Sequence, residues 1–131
     1  MIVWGIFITV NNFKEILLSD IETYKQDYLR KPYIHGGFYI IFDKINNMGY
    51  VGKSMCFMNR LKNHIYNAKN NKGIFVDKKM YLRIDDFSFY EIATYKEFKI
   101  DFFTRQLETI IEREFVHFLN TLTPYGYNQR I

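Results

Sequence analysis

The chain has 131 residues, 48% of them apolar and 19% aromatic, with 13 Phe, 11 Tyr and a net charge of +4. That length suffices for one domain with its own hydrophobic core and is too short for two independent ones. A single cysteine, Cys56, excludes a disulfide framework or a thiolate zinc site within the chain and fits a reducing compartment.

From the start, residues 1–10 are apolar but cover about half of the ~20 residues that a bilayer crossing needs, and no basic leader precedes them. They read as a buried strand, which predicts a cytoplasmic protein with no membrane partner. Asn11-Asn12 offers a helix N-cap, and Phe13, Ile16, Leu17, Ile21, Tyr24 and Tyr28 recur at helical spacing up to Pro32. Residues 1–35 are therefore expected to form a strand-helix extension packed on the same domain as residues 36–131.

Residues 38–43 and 49–53 predict a hairpin turning at Asn46-Asn47. A helix follows over 57–69, with Phe57, Met58, Leu61, Ile65 and Ala68 on one face. A less regular stretch carries Met80, Leu82 and Ile84. Residues 87–93 read as a third strand, and a last helix runs from about Thr104 to Asn120, stopped by Pro124 and Gly126. The fold class this order predicts is α+β, a small antiparallel β-sheet flanked by helices.

The hairpin places Tyr39 and Tyr50 on one small sheet, with the cations Lys53 and Arg60 close behind. Arg60 borders the apolar face of its helix, where it either snorkels to water or grips a phosphate in its fork. His64 lies one turn further on. In the last helix Phe103, Leu107, Ile110, Ile111, Phe115 and Phe118 define an apolar arc, and Glu114 falls in its middle. Such a carboxylate needs a partner or a cation; either the helix is turned so that Glu114 reaches solvent, or Glu114 is a metal ligand. Gly52-Lys53-Ser54 is no nucleotide-binding loop, because Asn47 stands where the leading glycine is required. The lysines 69, 72, 78 and 79 are either a solvated surface or phosphate contacts.

Gly37-Phe38-Tyr39, Tyr50-Val51-Gly52, Arg60 and the tail from Glu114 to Asn128 together resemble the GIY-YIG nuclease family over residues 37–128, with Phe38 in place of the usual Ile. Residues 111–128 look like the end of phage-type homing nuclease catalytic domains, which suggests a phage or mobile-element origin. The resemblance implies a DNA endonuclease using one divalent metal, Mg2+ or Mn2+. It implies that Glu114 holds the metal, Arg60 binds the scissile phosphate, Tyr50 is the general base and Tyr39 supports it. Lys53, His64 and Asn128 match further site positions of the family. DNA is the implied partner, and monomeric nicking is the expectation; a homodimer or a targeting partner stays open. The alternative is a nucleic-acid-binding module on the same fold with catalysis weak or lost. Phe38 is expected to fill a core slot, since alternate strand residues face inward.

Overall fold

The computed structural model describes residues 13–30, 35–95 and 105–129. The strand expected over residues 1–10 lies outside them. No helix among the described residues is long and apolar enough to cross a membrane.

Four antiparallel strands form one sheet: β1 (Ile16–Leu17), β2 (Gly37–Asp43), β3 (Met48–Ser54) and β4 (Phe87–Thr94), in the order β1-β4-β2-β3. β2 is central and buried along its whole length. Its run Phe38-Tyr39-Ile40-Ile41-Phe42 is apolar on both faces because helices cover both, the condition under which a strand loses its polar alternation. One face carries Tyr39 and Ile41 with Phe87 and Phe89, packed against α1 (Ile21–Leu29), α2 (Phe57–Lys69) and α3 (Phe75–Lys79). The other carries Ile40, Phe42, Tyr90 and Ile92 against Val116 and Leu119 of α4 (Arg105–Leu119). Phe38 is fully buried on the α4 side, where its ring meets Tyr95 and Phe115. Full burial of such a ring contributes roughly 1.5–3 kcal/mol, so the slot expected for it is occupied as a core position.

The hairpin and α2 lie where the sequence pattern puts them, within a residue at each end. The N-terminal helix does not. Its spacing suggests helix from residue 13, yet Ile16 and Leu17 pair with Phe89 and Ser88, a short 3-10 turn follows, and the α-helix begins at Ile21. An isolated helical turn is costly to nucleate; the free edge of β4 offers Ile16 and Leu17 backbone partners instead. Tyr24 and Tyr28 keep the helical spacing and face the sheet, with Tyr24 donating to Glu91 at 2.6 Å and Tyr28 to the His35 carbonyl at 2.7 Å.

The stretch after α2 is more ordered than its sequence suggests. Gly73 takes φ +97, a conformation that suits glycine, and α3 starts just beyond it. Asp77 accepts a hydrogen bond from the Ile74 N–H at 3.2 Å and so holds the first turn of α3.

Candidate active site

Tyr39 and Tyr50 point to the same side of the sheet. Across the β2–β3 pair Tyr39 lies opposite Gly52 and Tyr50 opposite Ile41, so the two rings meet diagonally with centroids 6.4 Å apart. Gly52 makes this approach possible: an added Cβ would press on the Tyr39 hydroxyl and lie 2.9 Å from Cε2 of Tyr50. The glycine of the Tyr-Val-Gly triplet is thus a packing requirement of the phenols.

Arg60, half-buried on the first turn of α2, brings its positive charge beside both hydroxyls, where it favours their ionised forms. Burial raises the pKa of Tyr50; Arg60 acts against that rise, and the Glu112 carboxylate adds to it. Tyr39 is fully buried and its pKa is likewise raised by burial. Of the two, only Tyr50 lines the open cleft, a cavity of about 260 Å3 shared with Ile74, Phe75, Glu112, Val116, Tyr127, Asn128 and Gln129.

Glu112 is the carboxylate that lines this cleft, whereas Glu114, expected from the apolar arc to face the core, is turned to solvent. Glu114 is exposed, and so are Leu107, Ile110 and Phe118 of the arc that placed it. The face that meets the sheet runs through Glu108, Glu112, Phe115, Val116 and Leu119. The helix carries two overlapping apolar stripes, and the one containing Val116 and Leu119 packs. Glu108 is taken up by the Tyr95 hydroxyl, which donates to it at 2.6 Å. Glu112 accepts no hydrogen bond from the described residues. Burial raises its pKa, Lys53 pulls it down and Glu108 pushes it up.

Such a carboxylate, partly desolvated and with no hydrogen-bond donor among the described residues, suits a divalent cation completed by water and phosphate oxygens. Among the described residues no cluster of three or more His, Cys, Asp or Glu side chains exists that would form an all-protein cage. A larger hollow of about 390 Å3 lies beside β1 and α1. Its carboxylates are already engaged: Asp27 with Lys14, Asp20 with Thr23, Glu15 with Lys44 and Ser88, and Glu91 with Tyr24 and His35. The smaller cleft is the better candidate.

Asn128 closes the cleft by completing the sheet. Its Oδ1 accepts from the Val51 N–H at 2.8 Å and its Nδ2 donates to the Val51 carbonyl at 2.9 Å, as a fifth strand would. The Tyr127 N–H adds a bond to the Gly49 carbonyl at 2.8 Å. Lys53, opposite Phe38 in the register, lies on the α4 side of the sheet and acts on Glu112.

His64 is buried, with Nε2 2.7 Å from the Tyr39 hydroxyl and Nδ1 2.5 Å from Asp77 Oδ1. Burial lowers its pKa, with Asp77 acting in the opposite direction. Two of these residues escape a reading of the sequence. Glu112 could have been found from its spacing to Val116 and Leu119; Asp77 carries no signal beyond a carboxylate after a Gly-containing loop.

The family model for the GIY-YIG catalytic domain matches residues 35–116. Among solved structures, the catalytic domain of the homing endonuclease I-TevI superposes with a TM-score of 0.60 at 19% identity, covering 73% of this chain and 99% of that one. A point mutant of the catalytic domain of the intron endonuclease I-TevI gives a TM-score of 0.60 at 20% identity, covering 74% and 95%. Those two likenesses establish a common fold. A search of curated protein sequences finds no match.

Proposed function

Because the chain belongs to the GIY-YIG catalytic domain family, we propose that it is an endonuclease hydrolysing a DNA phosphodiester between Tyr50, Arg60 and Glu112. The observation that carries this reading is a cleft lined by the Tyr50 phenol and by a half-buried carboxylate that has no hydrogen-bond donor among the described residues, with the charge of Arg60 acting on Tyr50 from beside it.

In this reading Arg60 holds the scissile phosphate in its guanidinium fork. Tyr50 faces the cleft and takes the proton of the attacking water. A phenol is a weak base near neutrality because its ordinary pKa is about 10, and burial raises that of Tyr50 further, so positive charge must be close when it acts. Arg60 supplies part of that charge. Glu112 would hold one divalent ion, Mg2+ or Mn2+, which when bound neutralises charge on the phosphate and on the departing 3′ oxygen. Lys53 tempers the charge of Glu112 from behind. Tyr39, out of contact with solvent, orients Arg60, and Asn128 keeps β3 and its tyrosine in register. The products carry 5′ phosphate and 3′ hydroxyl. One cleft cuts one strand per encounter, so a monomer nicks and a double-strand break needs a second copy or a second visit.

The test is incubation of supercoiled plasmid with Mg2+ or Mn2+, and with EDTA. The reading expects metal-dependent nicked circles whose ends DNA ligase reseals directly. DNA that is bound but uncut with either ion, whether duplex, branched or single-stranded, would replace it with a binding module.

A further inference from the structure

We propose that Asp77 is a positioning residue of the site: through His64 it dictates the direction in which the Tyr39 hydroxyl donates, and thereby which way its lone pairs face the neighbouring Arg60. This rests on the nuclease reading for its consequence, not for its geometry. Asp77, His64 and Tyr39 form a chain of contacts at 2.5 and 2.7 Å, all three side chains being almost wholly out of solvent.

The hydrogen-bond inventory leaves one consistent arrangement. An ionised carboxylate only accepts, so His64 carries its proton on Nδ1 and gives it to Asp77. The Nε2 of a neutral imidazole then only accepts, so Tyr39 must donate to it. The oxygen lone pairs of Tyr39 are thereby turned toward Arg60, which has donors and no acceptor. In the opposite tautomer Nε2–H would donate to Tyr39. The phenolic proton would then be turned toward the side of Arg60, a guanidinium unable to receive it. Burial favours the neutral imidazole on which this argument depends.

Asp77 is itself well placed for the task. Its second oxygen accepts from the Ile74 N–H at 3.2 Å and from Asn67 Nδ2 at 3.4 Å, so the carboxylate is fixed from both sides. Ile74 and Phe75, the residues that open α3, line the cleft. The short helix therefore supplies both a wall of the cleft and the group that orients its buried tyrosine.

The test is the tautomer of His64, read from 15N–1H correlation spectra of the imidazole, together with the exchange rate of the Arg60 guanidinium protons. The wild type is expected to carry the proton on Nδ1 and to protect the Arg60 protons. Asp77→Asn keeps an acceptor for Ile74 but offers a donor to His64, so it should move the proton to Nε2 and speed Arg60 exchange at least about tenfold. Plasmid nicking by this variant should fall about 10- to 1,000-fold in kcat with little change in KM, less than the roughly 10⁴-fold of a catalytic triad's Asp→Asn change because His64 here orients a tyrosine and does not itself take the proton. A wild-type His64 protonated on Nε2 would overturn the proposal without any variant needing to fold. So would an Asp77→Asn protein whose Arg60 protons exchange at the wild-type rate. A wild type that fails to nick DNA counts against the nuclease reading alone.

Discussion

At Asp43 a carboxylate with no solvent exposure accepts from the Tyr127 hydroxyl at 2.6 Å, from Arg83 at 3.0 and 3.1 Å, and from Asn46 and Ile45 in the hairpin turn. Burial works to raise its pKa, but these donors together hold it below the ordinary value. The sign of the consequence follows. A depressed folded-state pKa contributes stability that is complete above the unfolded value and is lost as pH falls through the folded one. Urea midpoints should therefore hold steady down to the ordinary carboxylate range and then drop, and Asp43→Asn should flatten that acid limb. An unchanged acid limb in the variant would show that Asp43 is not the group responsible. Asp43 gave no functional signal in the sequence, since a lone Asp before an Asn-rich turn reads as turn chemistry, and turn chemistry is what it performs. Asp77 looks no different in the sequence, yet faces His64; nothing local distinguishes the two.

Among the elements, those whose pattern is set by nearest neighbours are the legible ones. α2 shows a single apolar stripe, and the hairpin is two apolar runs around Asn46-Asn47, so both could be placed from sequence. α4 carries two stripes about one helical position apart, and only the sheet decides which packs; the stripe read from the sequence turned Glu114 inward, and the sheet leaves it exposed. β1 is two residues long and exists through its pairing with β4, which no local pattern records. β3 is an edge strand of the sheet, and edge strands need cover. The Asn128 amide supplies it at Val51, next to Tyr50. Asn128→Ala should leave two buried backbone groups of Val51 without partners, at a cost of about 1–3 kcal/mol in unfolding free energy. Amide exchange at Val51 should accelerate in step, while an exchange rate like the wild type would place the protection elsewhere.

Over the whole molecule, the cleft is assembled from four segments far apart in sequence: β3 at Tyr50, the start of α3 at Ile74 and Phe75, the middle of α4 and the tail around Asn128. Phenols and guanidinium lie on one face of the sheet, and the carboxylate arrives from the helix on the other, beside the edge strand β3. The order and spacing of the tyrosine and arginine motifs could be read in the sequence because they sit on adjoining local elements. The carboxylate could not, because its place depends on the rotation of a helix against the opposite face. On the proposed function the net charge of +4 favours DNA, and binding carried by phosphate contacts should weaken steeply with salt.

Glu112 lines the cleft and Glu114 is exposed, so the proposed mechanism places the metal-holding carboxylate at Glu112. Plasmid nicking in Mg2+ by Glu112→Gln and Glu114→Gln, under single-turnover conditions, separates the two. Loss of a metal-held charge worth several kcal/mol predicts a fall on the order of 10²- to 10⁴-fold for Glu112→Gln. The exposed Glu114→Gln should nick within about twofold of the wild type. Equal rates for Glu112→Gln and the wild type, or a collapse confined to Glu114→Gln, would contradict the site described.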